Sequence, residues 1–161
     1  MEARISIRQA TLAYAGIIHR IIERSIRIGC ALDHRNNAQR VSAWVEQHNA
    51  AQLSLWLADS RVYLSIALLQ DKPVGVGMAS ARGDITLCHV QPECFRRGIG
   101  RALIDDLEGW LRILGVSHAS LNSTRTGEAF YRHLGYRETA PAALHQGLRA
   151  LPMTKPLALP R

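Results

Sequence analysis

Between Val62 and Leu114 the hydrophobic pattern changes once, from the alternation of a strand to the spacing of a helix, and the change falls at Gly98-Ile99-Gly100. Residues 62–69 are β-rich, Asp71-Lys72-Pro73 turns the chain into 74–81, and 84–90 follows after Arg82-Gly83; this spacing predicts an antiparallel hairpin and a further strand. Over 98–114 the apolar positions Leu103, Ile104, Leu107, Leu111 and Leu114 predict one amphipathic helix, ended by Gly115. A chain that passes from strands into such a helix has to lay the helix's apolar stripe on the sheet.

The flanks fit the same plan. Residues 5–8 alternate as a strand, Leu12, Ala15, Ile18, Ile22 and Ile26 recur at helical spacing up to Gly29, and 38–47 reads as a second helix burying Val41, Trp44 and Val45. Downstream, 118–121 reads as a strand, 127–134 as a short helix, and 136–138 and 153–156 as closing strands. The expected class is α+β, a mixed sheet with helices packed on its faces.

A length of 161 residues, 47% of them hydrophobic, suits a single domain over 1–161. No stretch approaches the ~20 apolar residues of a membrane span, and the N-terminus, carrying Glu2, Arg4 and Arg8, has no signal-peptide core. Three cysteines, Cys30, Cys88 and Cys94, do not make a disulfide framework, which points to a reducing compartment and a cytoplasmic protein. The net charge of +7 comes from an arginine-rich set in which Lys72 and Lys155 are the two lysines. It favours an anionic partner, either nucleic acid or a polyphosphate cofactor. The arginines are dispersed and aromatic residues are few, so the footprint of a nucleic-acid binder is weak; a solvated arginine surface explains the charge equally well.

Chemistry enters where the strand 84–90 runs through Gln91-Pro92-Glu93-Cys94-Phe95 into Arg96-Arg97-Gly98-Ile99-Gly100-Arg101. A loop opening a long helix on Gly-x-Gly gathers unpaired backbone N–H groups and the positive helix end at one point, which suits a phosphate. The alternative is a glycine-eased helix start with solvated arginines. The segment is neither a Walker loop, for want of Gly-Lys-Ser/Thr, nor a dinucleotide fingerprint, since position 103 is Leu.

The run from Val90-Gln91-Pro92-Glu93 to Arg97-Gly98-Ile99-Gly100-Arg101-Ala102-Leu103 resembles the acetyl-CoA motif of the GNAT superfamily of N-acetyltransferases. Downstream, Ala129-Phe130-Tyr131-Arg132-His133-Leu134-Gly135-Tyr136 resembles that family's Ala-x-x-Phe-Tyr-x-x-x-Gly-Phe/Tyr element. The resemblance implies a mostly antiparallel sheet with helices on both faces, splayed into a V between strands 4 and 5, with acetyl-CoA as cosubstrate in the opening. It also implies that the backbone of Cys88, His89 and Val90 pairs with the pantetheine arm, and that the amides of Phe95, Arg96, Arg97, Gly98, Ile99, Gly100 and Arg101 hold the pyrophosphate. One position departs: Phe95 stands where the family pattern has Gln or Arg, which puts an auxiliary contact in doubt, with Arg96 or Arg97 as substitutes.

Amine acetylation requires a neutral nucleophile, a polarised thioester and a proton for the leaving thiolate. The resemblance places Tyr131 near the sulfur as proton donor, against the alternative that Phe130 and Tyr131 are core aromatics. Asp84 has the strand position of the general base in the histone-acetylating branch, against the alternative of a turn residue after Gly83. His89 has a suitable intrinsic pKa but alternation can direct it away from the cleft; His34 and Glu93 are weaker candidates for the base. A covalent acetyl-cysteine on Cys88 or Cys94 is rejected for want of a His/Asp partner, and the histidines show no metal-ligand spacing, so no metal is expected.

The acceptor is expected to be a primary amine of a small molecule or peptide, walled by residues 27–47 and 139–150. Arg27, Arg35, Arg40 and Arg149 hint at an acceptor carrying a carboxylate. No membrane partner is expected; monomer and homodimer both stay open. A GNAT-fold module that binds acyl-CoA without turnover is the alternative function.

Overall fold

The computed structural model describes residues 4–145 and 147–158. Two antiparallel sheets share one chain. The first has the order β1 (Ile5–Gln9), β2 (Val62–Leu69), β3 (Lys72–Ser80), β4 (Ile85–Val90). The second has β5 (His118–Ser123), β8 (Leu148–Pro156) and β6 (Arg137–Glu138), with β7 (Ala143–His145) also paired to β8. Between β4 and β5 the only pairing among the described residues is a parallel bridge from Asp84 to Ser120. Beyond that bridge the strands diverge, so the expected V between strands 4 and 5 is present.

Four helices before β2 fill one face of the first sheet: α1 (Ala15–Arg24), α2 (Ala31–His34), α3 (Ala38–Glu46) and α4 (Ala50–Ala58). Their core side chains Ile18, Ile22, Trp44 and Leu53, with Ile26 from the turn after α1, meet Leu64, Ile66, Val76, Met78 and Leu87. On the opposite face lies α5 (Ile99–Ile113), whose Ile99 and Leu103 pack with Ala67 and Val74 while Ile104, Leu107 and Leu111 reach Leu121 and Met153 of the second sheet. The helix sits close because β3 offers glycine: a Cβ on Gly75 or Gly77 would come within 3.0 Å of Leu103 or Leu107. Among the described residues no helix is long and apolar enough to cross a membrane.

Three elements are absent from the sequence reading. α4 is apolar nearly all round, with Leu53 buried and Leu55 exposed, so it carries no helical stripe. Its start is nevertheless written in Asn49, whose side chain accepts from the Gln52 N–H at 2.9 Å. The one-turn helix α2 and the three-residue strand β7 are too short to show a period; β7 occupies the expected 139–150 loop, in which Gln146 lies outside the described residues. The helix expected up to Gly29 ends in a widened π turn over Ser25–Gly29. The expected helix 98–114 buries four of its five stripe residues, but Leu114 is exposed.

Candidate active site

The V encloses a cavity of about 1110 Å³ that runs from the start of α5, along β4, to α6 (Glu128–His133). At one end stands the Phe95–Arg101 loop. Arg96 (φ 63°) and Gly98 (φ 82°) are both left-handed, a geometry that turns successive N–H groups the same way. The first i to i−4 bond of α5 is donated by Ala102 to Gly98 at 3.0 Å, so the N–H groups of Ile99, Gly100 and Arg101 precede the ladder and point out of the helix end. Arg96, Arg97 and Arg101 are exposed and have no ion-pair partner among the described residues. Donors, dipole and charge suit an anion with several oxygens.

Phe95, at the departing position, is 44% exposed and its ring lies against Gly29, where a Cβ would come within 2.7 Å of the ring. It joins the π turn to the loop by packing and offers no polar contact. A Cβ on Gly100 would come within 3.0 Å of the Phe130 ring, so the two sequence motifs meet in space.

The middle of the cavity is the free edge of β4. The Gln91 N–H bonds the Val74 carbonyl at 2.8 Å, and in this register Gln91, His89 and Leu87 are the residues that bond β3. The main-chain groups of Cys88 and Val90 therefore face the opening. Those of His89 do not, which corrects the expectation that all three pair with the pantetheine arm; the His89 side chain lines the cavity instead.

Beyond this edge the Tyr131 phenol and the Cys88 thiol are neighbours in the cavity lining. Burial, followed by the neighbouring Cys88, holds the Tyr131 phenol well above its ordinary value, so the hydroxyl is protonated throughout the neutral range. Burial also raises Cys88 and Cys30 to about 12, which keeps both as thiols. The Tyr131 ring is fixed at its edges by Phe130 (5.0 Å) and Tyr136 (5.8 Å). Tyr136, fully buried, donates to Glu108 at 2.7 Å, and Glu108 in turn accepts from Lys155 at 3.0 Å. A second tie comes from Asp33 on α2, which accepts from the Arg125 N–H (2.6 Å), the Thr126 N–H (3.2 Å) and the Thr126 hydroxyl, and so pins the turn that leads into α6. Sequence reading missed both supports, since Glu108 and Asp33 look like surface carboxylates until the fold buries them.

The remaining candidates divide. Asp84 is exposed at the closed root of the V and does not line the cavity. Glu93 is exposed in an ion pair with Arg24, which also donates to Gln91 at 2.7 Å. His34 is buried with both ring nitrogens engaged: Nδ1 accepts from the Asn36 N–H (2.9 Å), and Nε2 donates to the Ile26 carbonyl (2.8 Å) in the π turn. It is a structural histidine. His89 lines the cavity with Nδ1 hydrogen-bonded to Ser25 Oγ at 2.9 Å, and its ring lies 6.1 Å from that of His48. Burial, with His48 adding to it, lowers His89 to about 3; burial lowers His48 as well. The four arginines expected to meet an acceptor carboxylate do not line the cavity; Arg27 pairs with Glu23 at 3.0 Å and Arg149 pairs with Glu128. Among the described residues no cluster of three or more His, Cys, Asp or Glu side chains could hold a metal ion.

A family model described as an acetyltransferase (GNAT) domain matches residues 32–157. No curated protein matches the chain. Among solved structures, a GCN5-related N-acetyltransferase from Rhodopseudomonas palustris superposes with a TM-score of 0.86 at 24% identity, covering 98% of both chains. The PaiA N-acetyltransferase of Thermoplasma acidophilum, solved in complex with coenzyme A, gives 0.80 at 15% identity, covering 95% of this chain and 99% of that one. An Escherichia coli N-acetyltransferase named for a ribosomal-protein alanine gives 0.70 at 17% identity over 98% and 97% of the two chains.

Proposed function

The chain belongs to the GNAT acetyltransferase domain family, and on that premise we propose that it is an N-acetyltransferase that moves an acetyl group from acetyl-CoA directly to a primary amine of a small molecule or peptide. One observation carries the reading: the unpaired edge of β4 leads from a left-handed, arginine-flanked helix start to a half-buried, protonated tyrosine. A pyrophosphate fits the Arg96–Arg101 end by charge and by its outward amides. An extended amide-bearing arm fits the Cys88 and Val90 backbone as an added strand would.

Acetyl-CoA supplies an activated acyl carbon on a sulfur leaving group. The amine nitrogen forms a bond to that carbon, the carbon–sulfur bond breaks, and the Tyr131 phenol gives its proton to the departing thiolate. Burial keeps the phenol protonated at neutral pH, so the proton is in place, and the same low-polarity surroundings disfavour the departing thiolate's charge and so favour its protonation. Once bonded to the acyl carbon the nitrogen is acidic, and its proton leaves through the neutral imidazoles of His89 and His48 or through water. Asp84 is the competing acceptor for that proton, and its place at the root of the V makes the choice experimentally sharp.

The test is a pair of measurements on the full chain. Acetyl-CoA is expected to raise Tm, since a ligand that binds the native state stabilises it by mass action. Thiol release from acetyl-CoA in the presence of an amine library is expected to exceed the rate without amine. A rise in Tm with no amine-dependent thiol release would make the protein a binding module.

A further inference from the structure

Beside the large cavity, on the side of α3 and α4, lies a second one of about 370 Å³; Gln47, His48, Thr86 and Leu87 line both. We propose that this smaller cavity is the acceptor pocket and that it takes an arylamine, an uncharged aromatic ring carrying its amino group toward the β4 edge. The proposal rests on the acetyltransferase reading and narrows its substrate class.

Charge argues first. The smaller cavity's own walls are Trp56, Val62, Met78 and Ser80, and neither these nor the shared residues include an acidic or a cationic side chain. In the larger cavity the charged side chains among the described residues are Arg96 and Arg101, both at the opposite end by the start of α5. His48 lies inside with its Nδ1 hydrogen-bonded to the Trp44 carbonyl at 3.0 Å, and burial keeps it neutral. An ammonium group brought here would lose its hydration and meet no carboxylate, and a carboxylate would meet no cation. Polyamines and amino acids are poorly matched on that ground.

Shape and chemistry then select the ring. Trp56 and His48 stand 6.0 Å apart, centroid to centroid, at a tilt of 58°, and Val62, Met78 and Leu87 complete an apolar wall. At ~30 Å³ per water the volume equals roughly a dozen waters, which is room for an aromatic ring and a short substituent. The buried Ser80 Oγ has no hydrogen-bond partner among the described residues and lines this cavity, where a polar substituent on the ring would satisfy it. The nitrogen must present a lone pair. A primary alkylamine near pKa ~10.4 would arrive protonated and need a base, whereas an arylamine, its lone pair conjugated with the ring, arrives unprotonated at neutral pH. His89 and His48, whose hold on a proton burial weakens, are poor bases for the former, so the pocket and the proton chemistry select the same acceptor.

The experiment compares p-toluidine, 2-phenylethylamine, spermidine and trialanine as acceptors by thiol release at neutral pH. It adds calorimetric titration of p-toluidine into the protein saturated with CoA. The kcat/KM for p-toluidine is expected to exceed those for 2-phenylethylamine, spermidine and trialanine by roughly tenfold or more. Trp56→Ala and the pocket-filling Val62→Phe, neither of which touches the larger cavity, are expected to raise the p-toluidine KM by about tenfold or more while leaving the acetyl-CoA-induced rise in Tm intact. Preference for 2-phenylethylamine, spermidine or trialanine overturns the proposal, as does unchanged p-toluidine binding in both variants, or acetyl-CoA binding with no p-toluidine binding at all. Failure of acetyl-CoA to raise Tm in the wild type is a separate result, which removes the acetyltransferase reading and this proposal with it.

Discussion

The two ends of the cavity are built on opposite principles. The α5 end is cationic, exposed and made of backbone: left-handed Arg96 and Gly98, the outward N–H groups of Ile99 to Arg101, and three arginines in solvent. The α3 and α4 end is neutral and made of side chains drawn from α4, β2, β3, β4 and the turn after α3, with two imidazoles, His48 in its wall and His89 beside it, that burial keeps uncharged. A ligand that spans both has to be polyanionic at one end and uncharged at the other. The contrast also shows where selectivity lies, because a backbone cradle serves any molecule with the same phosphates, while a pocket of side chains can differ residue by residue.

The largest effect expected breaks the backbone end. Gly98 has φ 82°, and a Cβ there would make ordinary contact with Ile5 Cδ1 at 3.9 Å, so Gly98→Asp costs backbone strain and brings negative charge to the anion's place. Charge-assisted bonds are worth ~1.5–3 kcal/mol each, so losing two weakens acetyl-CoA binding by roughly 10²–10⁴-fold, and its rise in Tm disappears. A variant that folds and keeps wild-type affinity would move the anion site away from this loop.

The next effect lies at the junction of the two ends. Tyr131→Phe keeps the ring between Phe130 and Tyr136 and removes the hydroxyl. Turnover is expected to fall by about 10²-fold, at the lower end for general acid catalysis because a thiolate is a tolerable leaving group, with acetyl-CoA affinity unchanged. Since the phenol's pKa is raised in the folded protein, the wild-type kcat profile is expected to show no descending limb from Tyr131 between neutrality and its ordinary value near 10. An unchanged rate in the variant, with chemistry limiting, would make Tyr131 a packing residue.

The same contrast explains what could be read from the sequence. Gly98, Gly100 and the Phe130-Tyr131 pair were legible because backbone geometry leaves its mark as glycine at fixed offsets and the α5 stripe leaves its own as a period. The side-chain end left no such mark. His48 and Trp56 sit on segments with no stripe to orient them, and His89 reaches the cavity through its side chain because its backbone is committed to β3. The arginines that suggested an anionic acceptor were misleading for a physical reason: composition records a charge but not its partner, and Glu23 and Glu128 had already neutralised two of the four.

A third effect probes the neutral end through stability. His89 is lowered to about 3 in the folded protein against ~6.5 when unfolded, so its contribution is present above ~6.5 and lost as pH falls toward 3, where the unfolded chain binds a proton the folded one refuses. By about pH 5 the loss is of order 2 kcal/mol, and His48, shifted the same way, adds to it. Urea unfolding near pH 7 and pH 5 is expected to show the fall in the wild type and a smaller one in His89→Gln. Equal slopes would mean that the ring is hydrated and the acceptor end is not neutral by burial.

The smallest effect expected belongs to Asp84, and it decides where the amine's proton goes. The residue is exposed, it bridges to Ser120 through the backbone where β4 and β5 still touch, and the cavity begins one residue further along at Ile85. A carboxylate in solvent at the closed root can accept a proton from the reacting nitrogen only through a chain of waters, whereas His89 and His48 stand in the lining itself. Asp84→Asn preserves the backbone bridge and the polarity of the turn, so turnover is expected to change by less than about twofold at every pH, within the range of ordinary surface substitutions. A loss of roughly 10²-fold at neutral pH that recovers as the medium becomes basic enough to deprotonate the amine would instead place the general base at Asp84. That result would also make alkylamines plausible acceptors again, because the cavity would then have a carboxylate to serve them, and the neutral end would be neutral only at its walls.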